Sequence, residues 1–159
     1  NSLPKEVVYC GGLNLTSPST KEEITAGKLV LSPTRTYAPI IAKILKQYRK
    51  KIDGMIHCSG GAQTKVLHFL NDGCKVIKDN LFPIPPLFEM IQQQSKTEWK
   101  EMYKVFNMGH RMEIYTDEQT AKEIIKISQD FGVEAQIVGR VEEGEKSVEI
   151  YSPYGVFTY

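Results

Sequence analysis

Along this chain, apolar residues recur at helical spacing in some stretches and gather into short strand-length runs between them. Tyr37, Ile40, Ile41, Ile44, Leu45 and Tyr48 share one helix face, and Lys43, Lys46, Arg49 and Lys50 populate the other side. The spacing predicts a helix with one buried and one solvated face, so the basic cluster from Lys43 to Lys51 reads as solvated surface. Ile52 to His57 is an apolar run that stops at the corner Ser59-Gly60-Gly61, after which Val66, Leu67, Phe69 and Leu70 make a short helix ended by Asn71-Asp72-Gly73. That is the sequence form of strand, tight turn and helix.

Cys74 to Lys78 alternates as a strand, Phe82-Pro83-Ile84-Pro85-Pro86 is stiff and extended, and Leu87, Phe88, Met90 and Ile91 open another helix. Trp99, Met102, Tyr103 and Phe106 form a further helical stripe that ends in the turn Asn107-Met108-Gly109. Met112 to Tyr115 is a strand leading to Thr116 and Gln119, a capping box for a helix with Ala121, Ile124, Ile125, Ser128 and Phe131 on one face and Gly132 at its end. Val133 to Val141 and Ser147 to Tyr151 are predicted strands joined by Glu142-Glu143-Gly144-Glu145, most simply as a hairpin. Nearer the start, Glu6 to Cys10 and Leu29-Val30-Leu31 are short strand candidates, the second broken by Ser32-Pro33-Thr34; the Gly-, Ser-, Thr- and Pro-rich segment up to Thr20 reads as an irregular surface lead-in. Strands alternating with amphipathic helices indicate an α/β (α+β) domain with a mixed sheet and flanking helices, with a ferredoxin-like layout carrying extra helices as the first choice.

Composition narrows the function classes. With 159 residues there is length for one domain with a real core, and a net charge of +1 gives no argument for nucleic acid or for an anionic membrane surface. No apolar run reaches transmembrane length, and the first thirty residues lack the pattern of a signal peptide. Cys10, Cys58 and Cys74 follow neither a metal nor a disulfide spacing, which suits a reducing cytoplasm.

Three corners carry candidate chemistry. At His57 to Thr64, Gly60 and Gly61 allow a sharp turn and close approach of a ligand, the backbone amides of the following turn favour an anion, and His57 can donate or accept a proton near neutral pH. The P-loop and dinucleotide spacings are absent, His57 stands where a nucleophile elbow at Ser59 would need Gly, and Cys58 beside His57 points to the opposite strand face. The bland reading of a Gly pair after a strand is a plain turn. At Ser32 to Thr36, Thr34 as a helix cap and Arg35 in a surface ion pair stand against a phosphate contact by Arg35. At Phe106 to Arg111, a plain helix-to-strand connection stands against a polar pocket formed by Asn107, His110 and Arg111. His68, within its helix facing the core or its edge, reads as structural.

Taken in this order, the pieces Leu31-Ser32-Pro33-Thr34-Arg35-Thr36-Tyr37, His57-Cys58-Ser59-Gly60-Gly61, Pro85-Pro86-Leu87-Phe88 and Glu101-Met102-Tyr103-Lys104-Val105-Phe106-Asn107-Met108-Gly109 resemble the C-terminal domain of the phosphoribosylformylglycinamidine cyclo-ligases, the aminoimidazole ribonucleotide (AIR) synthetases. The resemblance covers nearly all of the chain after about Lys28. It implies residues 1–27 as a lead-in, 28–159 as the C-terminal domain, and a separate N-terminal domain that carries most of the ATP and Mg²⁺ binding. It implies a cytoplasmic, ATP-dependent ligase of purine biosynthesis that closes the imidazole ring of formylglycinamidine ribonucleotide, homodimeric at full length, with this chain inactive alone.

On the matching residues, the resemblance implies His57 as an acid/base group, Ser59, Gly60, Gly61 and Arg35 as substrate or phosphate contacts, and Asn107 with Gly109 as lining; no metal ligand is expected in this chain. Two departures stand out. Ala62 occupies the place of a third Gly, and His110 with Arg111 replaces a small apolar residue and Gly, supplying two candidate cations. The rival readings are another ATP-using relative (formylglycinamidine ribonucleotide synthetase, selenophosphate synthetase or thiamine-phosphate kinase) and a non-catalytic module that binds a phosphorylated metabolite.

Overall fold

The computed structural model describes residues 11–19, 24–33 and 35–159. The expected strand at Glu6 to Cys10 and the expected cap Thr34 lie outside them. Leu29 to Leu31 is not a strand. Thr25 caps a short helix, α1 (Ala26–Val30), by accepting from the Lys28 amide at 3.4 Å, and Leu31 N closes the last turn on Gly27 O at 3.0 Å. A hydroxyl placed ahead of the run outweighed three apolar residues too few to show a period. Gly27 is buried against the lead-in, where a Cβ would meet Leu15 O at 2.7 Å.

The main amphipathic helices pair as their spacing predicts. Ile40 and Ile44 of α2 (Ala38–Tyr48) meet Ile124 and Ile127 of α5 (Glu118–Asp130) in one apolar cluster. Between α2 and α5 in sequence come β1 (Ile52–His57), a 3₁₀ segment (Ala62–His68), β2 (Cys74–Lys78), α3 (Pro86–Ser95), α4 (Trp99–Val105) and β3 (Met112–Thr116). The cap of α5 differs from expectation: Asp117, not Thr116, accepts from the Thr120 amide, at 2.8 Å, and Thr116 Oγ1 donates to Lys51 O at 2.5 Å instead. Gly132, with φ of 68°, ends the helix as expected by donating to Gln129 O at 2.8 Å.

Strands β4 (Gly139–Glu143), β5 (Ser147–Ser152) and β6 (Gly155–Thr158) complete the set. β1 and β3 form an antiparallel pair, and the other four form a mixed sheet in the order β4-β2-β5-β6. The expected hairpin between β4 and β5 is therefore corrected, because β2 lies between them, antiparallel to β4 and parallel to β5. Two strand spacings are about 9.6 Å, and four peptide steps from Glu143 to Ser147 reach roughly 13 Å, so the short link can arch over the start of β2. Gly144 N anchors the arch by donating to Gly73 O at 3.0 Å. The strand also starts later than Val133. Residues 133–138 are irregular and are held by Asn80, whose Nδ2 donates to Ile137 O at 2.6 Å and whose carbonyl accepts from Gln136 Nε2 at 2.7 Å. At Gly139 the two backbones come so close that a Cβ would fall 1.9 Å from Ile77 O.

The hairpin that does form joins β5 to β6. Its turn is fixed by Ser152 Oγ, which accepts from Tyr154 N at 3.1 Å and donates to Gly155 O at 2.9 Å, and Tyr154 stacks on Trp99 of α4 with ring centroids 3.7 Å apart. The core on this side comprises Val76, Val148 and Ile150 from the sheet against Val66, Met102, Tyr103 and Met108. It fixes the 3₁₀ segment, and with it the glycine corner, over one face of the sheet. Among the described residues no helix is long and apolar enough to cross a membrane.

Candidate functional site

At the end of β1 the chain turns within three residues. Ser59 N donates to His57 O and Ala62 N to Ser59 O, both at 2.8 Å, while Gly61 takes a left-handed φ of 84°. The following segment is helical as expected, in the 3₁₀ form, with Thr64 N donating to Gly61 O at 2.9 Å. This leaves the amides of Gly60 and Gly61 without an acceptor among the described residues. His57, Ser59 and Gly60 are exposed. Lys65 folds back over the corner, its Nζ donating to Ser59 Oγ at 2.8 Å and to His57 O at 3.0 Å. Lys65 was not among the expected site residues; its position four residues past Gly61, close enough to fold back over the corner, was the signal that could have found it. An ammonium, a hydroxyl and two free amides are thus grouped at the corner that follows the exposed His57, a setting that favours an oxyanion.

The corner at Asn107 to Arg111 is physically joined to this one. Gln63 Nε2 donates to Asn107 O at 2.6 Å, and Cys58 N donates to Arg111 O at 2.9 Å. Asn107 closes its own turn by accepting from Gly109 N at 3.0 Å on Oδ1. Gly109 sits at φ of 95°, and a Cβ there would come within 3.2 Å of Pro85 Cγ, so both the backbone and the packing favour glycine. The expectation of two cations here is corrected at His110. The ring is buried, its Nε2 accepts from Phe82 N at 3.1 Å, and burial pushes its pKa down to about 4. His110 is a neutral acceptor, and Arg111 is the remaining cation. Arg35 is exposed, and no bond among the described residues joins it to either corner. His68 is exposed rather than turned to the core or its edge.

Beneath both corners lies a buried polar network. Lys78 Nζ donates to Gln63 O at 2.7 Å, to Gln63 Oε1 at 3.0 Å and to Glu113 Oε1 at 2.5 Å, using all three of its protons. Tyr115 OH donates to Glu113 Oε2 at 2.8 Å. Lys78 and Glu113 are 1% and 7% exposed, so the pair is a core feature and not a surface ion pair. Burial and the Glu113 carboxylate push the Cys58 thiol up to about 12 and raise the Tyr115 phenol as well. Neither is a nucleophile at neutral pH. A groove of about 790 Å³ runs past Gly109, Arg111 and Glu113, but His57, Ser59, Gly60 and Gly61 do not line it. Its buried charges neutralise one another, whereas the glycine corner offers donors still free to bind.

Residues 9–152 match the family described as AIR synthase related protein, C-terminal domain. The chain belongs to this family. Among curated relatives, the phosphoribosylformylglycinamidine cyclo-ligase of Alkaliphilus metalliredigens (strain QYMF) is 32% identical over 126 residues, covering 78% of this chain and 36% of the relative. The protein of the same name from Bacillus thuringiensis (strain Al Hakam) is 32% identical over 142 residues, covering 88% and 40%. The chain thus spans well under half the length of these relatives. The fold is also that of Escherichia coli HypE, a hydrogenase maturation protein, with a TM-score of 0.59 at 16% identity, covering 97% of this chain and 43% of that one.

Membership in the AIR synthase related family gives the Ala62 departure a physical meaning. The place where the resemblance implies a third Gly has φ of 42°, a left-handed conformation that Gly adopts freely and Ala only under constraint. The corner therefore keeps the glycine backbone without the glycine.

Proposed function

We propose that this chain is the substrate-cleft domain of an ATP-dependent cyclo-ligase that converts formylglycinamidine ribonucleotide to aminoimidazole ribonucleotide in purine biosynthesis. The observation that carries this reading is the exposed corner, where Lys65, Ser59 and the free amides of Gly60 and Gly61 surround the end of β1 beside His57, in a chain of this family. The corner is suited to the ribose phosphate of such a substrate, with Arg111 near and Asn107 and Gly109 shaping the neighbouring turn. Arg35 is a further anion contact in this reading, reached from its own extended segment.

ATP supplies the phosphoryl group that makes the formyl amide oxygen a leaving group. The amidine nitrogen then attacks the activated carbon, phosphate departs with that oxygen, and His57 takes the proton that nitrogen loses. Among the described residues no group of three His, Cys, Asp or Glu side chains is placed to hold a metal ion. In this reading ATP and Mg²⁺ are assigned to a preceding domain of the full-length enzyme, a cytoplasmic homodimer. The chain alone should not turn over.

The test is His57→Asn in the full-length protein. Because His57 is exposed, folding stability should stay within about 0.5 kcal/mol, while ring closure should fall roughly 10²-fold or more. Unchanged turnover removes His57 from the chemistry, and a full-length protein that forms no aminoimidazole ribonucleotide removes the reading.

A further inference from the structure

A buried Lys–Glu pair needs a reason, because the cost of taking both charges out of water usually cancels the attraction between them. The geometry around Lys78 supplies one. Of its three donated bonds only one goes to Glu113; the other two go to the carbonyl and side-chain oxygens of Gln63, the second residue of the turn that follows the glycine corner. Gln63 is fully buried and passes the constraint on, its Nε2 donating to Asn107 O at 2.6 Å. Immediately before it stand Gly61 and Ala62, both left-handed, with Ala62 in a conformation that needs outside support. No buried side-chain nitrogen or oxygen among the described residues lacks a partner, so the network is fully satisfied.

We propose that Gln63, Lys78 and Glu113 form the positioning device of the glycine corner, holding the backbone at Gln63 so that the Gly60 and Gly61 amides keep the direction an anionic ligand requires. Glu113 fixes the ammonium, the ammonium fixes Gln63, and Gln63 locks the corner to the Asn107 turn. None of the three touches the ligand. The proposal rests on the reading of the corner as a phosphorylated-substrate site, and its test separates the two.

In the full-length protein, Lys78→Met combined with Glu113→Leu replaces the pair by apolar side chains of similar size. Stability alone does not discriminate, because the apolar pair leaves Gln63 O, Gln63 Oε1 and the Tyr115 hydroxyl without their partners in either case. We expect a folded protein in which KM for formylglycinamidine ribonucleotide rises about tenfold, with a smaller change in kcat. Amide hydrogen exchange over residues 57–64 should quicken by a similar factor relative to β5. Gln63→Met, which leaves the ion pair in place, should shift both readouts the same way, and it decides the matter should the double variant fail to fold. Wild-type exchange over 57–64 in a folded variant overturns the proposal. If the unaltered full-length protein forms no aminoimidazole ribonucleotide, the functional reading fails, and exchange over 57–64 still decides the positioning role.

Discussion

Gln63 Nε2 donates to the carbonyl oxygen of Asn107 at 2.6 Å and so fastens together two turns 44 residues apart in the chain. One turn ends β1 and the other leads into β3, and the antiparallel pairing of those strands places His57 opposite Met112. The glycine corner and the Asn107 turn are therefore neighbours at one end of a ladder, locked by the buried Gln63 amide and by Cys58 N donating to Arg111 O at 2.9 Å. The backbone conformation of each turn becomes a property of both.

Gly109 and Ala62 are the two positions where that conformation can be tested by exchanging Gly and Ala. A methyl at Gly109 would stand 3.2 Å from Pro85 Cγ and 3.3 Å from Pro85 Cδ, at φ of 95°. Left-handed strain alone costs about 1–2 kcal/mol, and the proline ring cannot yield freely, so Gly109→Ala should destabilise by about 2 kcal/mol or more. Ala62→Gly relieves strain of about 1 kcal/mol but loses a buried methyl worth about 0.8 kcal/mol, and should be near neutral. Urea midpoints of the two variants check the contrast, and a large loss in Ala62→Gly would contradict the strain argument.

Asp117 caps α5 twice over, with Oδ1 accepting from Thr120 N at 2.8 Å and Oδ2 from Thr120 Oγ1 at 2.7 Å. These bonds hold its carboxyl below the usual carboxylate range. Asp117→Ala should lower Tm by roughly 3 °C at pH 7, and Thr116→Val by less, since the exposed Lys51 carbonyl it serves can turn to water. The pH sense follows from the depressed pKa. The contribution of Asp117 is complete above its unfolded value of about 4 and fades as pH falls through the folded one, so the gap between the parent and Asp117→Ala should close on acidification. Equal melting temperatures at pH 7 would return the cap to Thr116.

The helices were legible where apolar spacing is long, as at Ile40 to Tyr48 and Ala121 to Ser128, because burial of one face decides both the period and the structure. The partnership of strands was not. Gly144 and Glu145 look like a hairpin turn, and nothing local reveals that β2, some seventy residues earlier, inserts between the two strands. Gly139 carried the one local hint, since a glycine inside a strand marks a close backbone approach. At the site, the corner from His57 to Gly61 was readable from its glycines, but the charges beneath it were not. Glu113 alternates with Met112 and Ile114 and so reads as outside, while Lys78 shares the face of the core residue Val76 but reads as a charge at a strand end; only the joining of two separate ladders buries them against each other. His110 failed for the same reason, as a residue next to an Arg in a turn reads as surface until Phe82 is found packed against it, 5.1 Å away between ring centroids.

His110 gives the fold an acid-sensitive element whose sign can be worked out. In the unfolded chain a histidine takes up a proton near pH 6.5. In the fold, burial holds the value down to about 4, the Glu113 carboxylate pulling it up and the Lys78 ammonium pushing it further down. Between these values the unfolded chain binds the proton and the folded one does not, so stability rises with pH across the window and is lost as pH falls from 6.5 to 4, by up to about 3 kcal/mol. Below pH 4 this contribution is flat. His110→Gln keeps an acceptor for Phe82 N without a group that titrates in this range, and cancels the term while leaving the carboxylates of the rest of the chain as they were. Denaturant midpoints at pH 7, 5.5 and 4 should therefore fall more steeply for the parent protein than for His110→Gln, and parallel curves would mean that His110 is protonated in the fold.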